Sequence, residues 1–317
     1  MNQETEGILD RRRLRRKLGL WRGLAIIAGV LAVGALALIG SGAENLTKSD
    51  QIARVGIEGL ITEDRKQIEL LKSIAKADHV KGVIVYVNSP GGTTTGGEAL
   101  FRNLRDISKK KPVVAQFGTV AASAAYIAGL GTDYIVARGN SITGSVGVIM
   151  QWPEFSGLLD KVGVTMHTVK SGSLKAEPSP FKPVDPETRK LLDQMIGESF
   201  RWFVGLVETR RNVTVDTIPG LREGRVFSGR EALQYKLVDA IGGEDEARSY
   251  LEEKANLPAN LQIIDWKPKK DLDWPFGGSL ANSVTRILAG WLGVGTLASV
   301  PGGGLDGMIS VWHPQKR

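Results

Sequence analysis

Cysteine is absent from the 317 residues. That excludes disulfides, cysteine-based zinc sites and a thiol nucleophile. Histidine is nearly absent: His79, His167 and His313 are the only three, and none lies in a nucleophile-like motif. A hydroxyl nucleophile in this chain would therefore need a base other than imidazole. The carboxylates are scattered, and no paired-acid or metal-binding constellation stands out. No internal repeat is found. The glycines at 91–92 are not followed by Lys-Ser/Thr, so no phosphate-binding loop forms there. Composition is otherwise that of a globular protein, with 42% hydrophobic and 24% charged residues. The length allows one large domain or two small ones beside any membrane segment.

The net charge is +7, but it is unevenly spread. Residues 1–22 hold seven basic groups (Arg11, Arg12, Arg13, Arg15, Arg16, Lys17, Arg22) against Glu4, Glu6 and Asp10, which is +4 of the total. The remainder is close to neutral, which argues against a nucleic-acid partner. The basic cluster abuts residues 23–43, which are 21 uncharged positions rich in Leu, Ile, Val, Ala and Gly. At ~1.5 Å per residue, a helix of that length spans a hydrocarbon core of ~30 Å. The expectation is an uncleaved transmembrane anchor. The alternative is a cleaved signal peptide, whose apolar core is usually shorter, about 7–15 residues. Basic residues flank the cytoplasmic side of membrane spans, so the N-terminus is expected inside and everything after Glu44 outside.

The expected organisation is a basic arm (1–22), an anchor (23–43), a polar linker (44–52), a catalytic domain (53–257) and a tail (258–317). Short β-branched runs at 53–57, 83–87, 113–117, 134–137, 146–150 and 165–169 predict strands. Amphipathic stretches at about 64–77, 97–109, 122–130, 154–161 and 187–211 predict helices. The last carries Leu191, Leu192, Met195, Ile196, Phe203 and Val207 at helical spacing, a stripe for core or subunit packing. Strands alternating with helices imply βαβ units and a largely parallel sheet. The tail holds Trp266, Trp274, Phe276, Trp291 and Trp312, and its uncharged run 287–300 is too short to span a bilayer. It is expected to dock on the domain, a neighbouring subunit or the membrane surface.

Two segments carry the chemistry. Ser123 is the one hydroxyl of Val120-Ala121-Ala122-Ser123-Ala124-Ala125, after a strand-like run and before a small-residue helix. A serine there is either a helix N-cap or a nucleophile exposed at a strand-to-helix turn. Lys175 lies 52 residues on, in Ser171-Gly172-Ser173-Leu174-Lys175. A desolvated lysine can replace histidine as a base, because burial disfavours the ammonium form. Lys170 and Lys182 flank it as alternatives. Upstream, Asn88-Ser89-Pro90-Gly91-Gly92 forms a turn at a strand end, where glycine lets backbone N–H groups approach a ligand oxygen. Together these suggest a serine nucleophile, an amine base and a backbone oxyanion hole.

Segments 82–92, 117–126, 142–149, 171–181 and 224–243 resemble, in order, the motifs of signal peptide peptidases of the SppA type. These are Ser-Lys proteases on the Clp-protease/crotonase fold, and the similarity covers roughly residues 50–250. It implies an α/β fold, a βαβ spiral core with a largely parallel sheet, preceded here by one N-terminal transmembrane helix. It implies Ser123 as nucleophile, Lys175 as general base, Ser145 as the hydroxyl that orients the base, and the N–H groups of Gly92 and Ala124 as oxyanion donors. It further implies no metal and no organic cofactor, and remnant signal peptides or other apolar peptides as substrates. The location would be the bacterial inner membrane, and the assembly a homo-oligomer whose active sites are shared between subunits. The chain departs from the family where Ala124-Ala125 stands for a usual Gly-Gly, and at Lys236, where glycine is common. Two other readings are an inactive membrane scaffold on the same fold and an acyl-CoA hydratase or isomerase of the crotonase type.

Overall fold

The computed structural model describes residues 49–268, the strand Ile309–Val311 and, near the N-terminus, the helical positions Trp21, Gly23, Leu24, Ile27 and Ala28. Residues 1–49 and 50–317 form separate units. The expected anchor 23–43 lies outside the described residues except at four of those positions. Among the described residues no helix is long and apolar enough to cross a membrane.

Residues 50–268 alternate strand and helix as the sequence pattern predicts. The order is β1 (Gln51–Ile61), α1 (Arg65–Lys76), β2 (Val80–Thr93), α2 (Thr94–Ser108), β3 (Val113–Ala122), α3 (Ala124–Leu130), β4 (Tyr134–Ala137) and β5 (Ile142–Gly144). Then come α4 (Ser156–Lys161), α5 (Pro186–Arg211), β6 (Val226–Ser228), α6 (Gly229–Gln234), β7 (Ala240–Ile241), α7 (Glu244–Ser249) and β8 (Gln262–Trp266), with β9 (Ile309–Val311) near the C-terminus. One nine-stranded sheet runs β6-β5-β3-β2-β1-β8, with β4 and β9 branching from β3 and β2, and β7 beside β4. All pairs are parallel except β5–β6 and β2–β9.

The sheet turns into a spiral because β3 has two partners on one edge. Val114–Phe117 pair with β4, and Val120–Ala122 pair with β5. The far end of β3 is thereby turned away from its start, and it is this end that leads into Ser123. Parallel strands must be covered on both faces, so they read as continuous apolar runs. Val83, Ile84, Val85 and Val87 of β2 are all fully buried. Alternate residues serve two cores. Val83, Val85 and Val87 pack with α1, α2, α3 and α5, whereas Ile84 joins Ile52, Val114 and Val136 under Ala247 and Leu251.

Helix ends obey local chemistry. Asp64, Thr93 and Asp185 each accept a backbone N–H of the first turn of α1, α2 and α5. Pro186 opens α5, and Asn212 closes it in the left-handed region. The predicted stripe on α5 divides. Leu192, Phe203 and Val207 are buried, while Leu191 and Met195 remain exposed. Two predicted strands do not form. Gly144 and Ser145 both have positive φ and turn the chain out of the sheet, so 146–150 contributes only an isolated bridge at Ile149. Residues 165–169 have no partner strand, and Met166 and Val169 are exposed. A β-branched run without a neighbour has nothing to pair with. From the expected tail, β8 joins the sheet parallel to β1.

Lys236 occupies a left-handed position (φ 59°), which explains why glycine suits it. The strain is held from α5: Arg211 Nε donates to the Lys236 carbonyl (2.7 Å), and its other nitrogens grip Asp239 (2.7 and 2.9 Å). A non-glycine residue in this region costs about 1–2 kcal/mol. Lys236→Gly is therefore expected to raise the thermal midpoint by about 2–4 °C without changing activity, as read by calorimetry. A lowered midpoint would show that the lysine side chain stabilises the turn.

Candidate active site

Ser123 sits where β3 becomes α3, with φ 59° and ψ −121°. Non-glycine residues rarely adopt such a conformation, and strain of this kind marks functional turns. Its N–H donates to the Gly144 carbonyl (2.9 Å), and its carbonyl accepts from Ile127 N–H (3.0 Å), the first bond of α3. Its hydroxyl does not cap the helix. Ser123 thus holds the N-cap position of α3 without the side-chain bond that a capping serine makes. The residue is 1% exposed.

Register brings Ser145 beside it. The last pair of β3 and β5 is Ala122 with Gly144, so Ser123 and Ser145 are the next residues of each strand. Both have positive φ. Thr143 Oγ1 donates to Ala121 O (2.7 Å), and Ser145 N–H donates to Arg225 O (3.0 Å). The two hydroxyl-bearing turns are thus fixed by backbone on both sides.

Gly91 and Gly92, expected in a turn after the strand, instead lie within β2 and pair with Leu60 and Ile61 of β1. Ser89 pairs with Ala121, two residues before Ser123. Gly91 has φ 113°, which only glycine adopts without strain. Gly92 pairs with Ile61 of β1 so closely that a Cβ would lie 1.8 Å from the Ile61 carbonyl oxygen. Two residues to which the sequence assigned no role hold this end of β2. Buried Ser89 accepts the Gly91 N–H (3.0 Å) through its hydroxyl. Asn88 Oδ1 accepts the N–H groups of Thr119 and Val120 (3.1 and 3.2 Å), tying this end to the strand that carries Ser123. Only their place in the quoted motif hinted at this.

Ala124 and Ala125 are fully buried. Room for Ala124 is supplied by the facing helix: a Cβ on Gly97 of α2 would come within 3.2 Å of the Ala124 Cβ. The Ala124 N–H stands at the first position of α3, where N–H groups have no carbonyl one turn back.

Lys175 is placed differently. It is exposed, within residues 150–185, which add no strand to the sheet. No side-chain hydrogen bond or ion pair joins it to another described residue. The flanking lysines are committed elsewhere. Lys170 and Lys182 (2.8 Å) both bind Glu177, whose side chain is only 2% exposed and also accepts the Ser179 N–H (3.0 Å). Lys170, then Lys182, hold the Glu177 carboxyl down at about 2, and Glu177 raises Lys182. Because the Glu177 pKa is lowered on folding, its contribution is present above its ordinary value of 4.5 and is lost as pH falls through about 2. At neutral pH the clamp is closed, and of Lys170, Lys175 and Lys182 it is Lys175 that is left without a carboxylate. Glu177→Gln is expected to lower kcat/KM roughly 10- to 100-fold by loosening the segment that carries Lys175. Hydrogen exchange should rise in 170–182 while the sheet stays protected. Unchanged kinetics would remove Glu177 from the site.

Among the described residues no three His, Asp or Glu side chains gather as a metal would require.

Residues 105–258 match the model of peptidase family S49, and residues 54–138 match that of Clp protease. A candidate protease of Methanocaldococcus jannaschii is 34% identical over 242 residues, covering 74% of this chain and 78% of its own. A candidate protease of Synechocystis is 34% identical over 217 residues, covering 68% of this chain and 78% of its own. A protein of Enterococcus faecium named as a candidate signal peptide peptidase SppA is 33% identical over 70% of this chain and 61% of its own. On these similarities, and on the α/β architecture with its parallel sheet, the chain belongs to peptidase family S49 and is a serine-type endopeptidase of the SppA type.

Proposed function

We propose that this peptidase works through a Ser-Lys dyad completed between subunits. The observation that carries the proposal is the contrast between the two partners. Ser123 is buried in a strained, backbone-fixed turn, whereas Lys175 is exposed on a segment that leaves the sheet. That segment also exposes Phe155, Leu158, Val162, Met166, Val169 and Phe181. So many exposed apolar side chains on one excursion suit a protein interface better than open solvent. A neighbouring copy would receive Lys175 together with this apolar surface.

In the proposed reaction, Ser123 Oγ attacks the peptide carbonyl and its proton passes to the neutral Nζ of Lys175, oriented by Ser145. The N–H groups of Gly92 and Ala124 bind the developing oxyanion. Lys175 then protonates the leaving amine, and the acyl-serine is hydrolysed by water with the same lysine as base. The chain would be held in the bacterial inner membrane by residues 23–43, N-terminus in the cytoplasm and catalytic domain outside. Its substrates would be remnant signal peptides, in keeping with the name of the Enterococcus relative, and other apolar peptides.

Co-assembly of Ser123→Ala and Lys175→Ala chains tests the shared site. Each chain alone is inactive, but some interfaces of the mixture join an intact Ser123 to an intact Lys175. Partial hydrolysis should return. Mixed oligomers, verified by two tags, that stay inactive at every ratio would place the dyad within one chain.

A further inference from the structure

The two ends of the parallel strands carry different chemistry. Gly91-Gly92 and Ser123 stand at the C-terminal ends of β2 and β3. The N-terminal ends, about 36 Å away along β2 at the usual strand rise, carry lysines. Here Lys76 ends α1, Lys81 lies at the start of β2, and Lys109, Lys110 and Lys111 join α2 to β3. Lys76, Lys81, Lys110 and Lys111 line one cavity of ≈ 480 Å³, against a single acid, Asp78. That lining alone carries +3, which is the whole net charge of the chain beyond residue 22. The excess positive charge of the domain is therefore gathered at this end of the sheet.

The cluster is anchored by Lys111, whose Nζ donates to the Ile74 carbonyl (2.8 Å) and to the Ala77 carbonyl at the end of α1. Burial lowers the Lys111 pKa; Asp78 opposes this, and the charges of Lys110 and Lys81 add to it. Crowded like charges of this kind are relieved by an anion. Two further acids at this end each meet a lysine: Asp50 pairs with Lys81 (3.3 Å) and Asp106 with Lys109 (2.7 Å). The chain also enters the unit here. Asp50 is its first residue, and the next, Gln51, donates its N–H to the His79 carbonyl (2.9 Å).

We propose that this lysine-lined end of the sheet docks on an anionic phospholipid surface. The inference rests on the proposed anchoring by residues 23–43. In that topology the chain preceding Asp50 comes from the bilayer, so lipid is the anionic partner that this end meets first. No aromatic side chain is among the described residues that line the cavity, so it offers no stacking surface for a base, and nucleic acid fits it less well. A lysine near an anionic lipid surface is worth roughly fivefold in binding. Docking turns the strand ends that carry Gly91-Gly92 and Ser123 away from lipid, toward peptides already clear of the bilayer.

The test is amine acetylation of the full chain, read lysine by lysine by mass spectrometry. It is run in nanodiscs of phosphatidylcholine alone and of equal parts phosphatidylcholine and phosphatidylglycerol. In the anionic discs Lys76, Lys81 and Lys110 should react at least about fivefold more slowly. Lys190, exposed on α5, should react equally in both. The protection should vanish in ~1 M salt, where the screening length falls to ~3 Å. Lys76→Gln combined with Lys110→Gln should abolish the difference at Lys81, with Lys111 left intact because it holds the end of α1. Equal rates in the two lipids, or the same slowing at Lys190, would overturn the proposal. Equal protection by inorganic phosphate added to the neutral discs would also overturn it, by making the cavity a small-anion site. The anchor is read separately, from retention of the chain on neutral discs. A chain held only by anionic discs, with these lysines protected, would uphold the lipid-docking face and overturn the anchor instead.

Discussion

Ser123→Ala and Lys175→Ala are each expected to lower kcat/KM by about 10⁴-fold or more, because members of one catalytic unit act together and each loss costs nearly the whole effect. Neither change should unfold the chain. Ser123 holds its place through backbone bonds to Gly144 and Ile127, which alanine keeps. Lys175 is exposed and makes no side-chain bond to another described residue. The lysine variant is the more informative of the two. Lys170 and Lys182 are tied to Glu177, so neither is available to substitute for it. Near wild-type turnover in Lys175→Ala would refute the base assignment.

Gly92→Ala is expected to cost about 10²–10³ in kcat, the usual effect of losing one oxyanion donor. Here the loss comes through backbone displacement. The new Cβ would lie 1.8 Å from the Ile61 carbonyl oxygen, so β1 and β2 must separate there. Some stability will be lost as well, and a control separates the two effects. At Gly96, in the first turn of α2, a Cβ would meet Thr62 backbone at 2.8 Å, a milder crowding with no donor role. Gly96→Ala should destabilise the fold yet retain most of its kcat. Equal kcat losses in both variants would mean that Gly92 contributes only to packing.

The helices and central strands were legible because each carries its own period. The continuous apolar run of β2 and the capped, amphipathic α1 and α5 are local patterns that packing then reinforces. The strand-to-helix turn at Ser123 could be read from small residues following a β-branched run. What could not be read depends on partners distant in sequence. Residues 146–150 and 165–169 have strand-like composition, but the chain turns at Gly144-Ser145 and no neighbour pairs with the second run. The Glu177 clamp joins residues 170, 177 and 182, a spacing with no helical or strand period. Asn88 reaches a strand some thirty residues away, and β9 pairs with β2 from the far end of the chain. Register between remote strands is fixed by the whole sheet, and a single segment does not contain it.

The most direct measurement is covalent labelling of the full chain with a fluorophosphonate, followed by mass spectrometry of the modified residue. The account predicts one modified residue, Ser123, with labelling strongly reduced in Lys175→Ala because the hydroxyl then lacks its base. Hydrolysis that persists with Ser123 unlabelled, or a label on another serine whose removal abolishes activity, would contradict it.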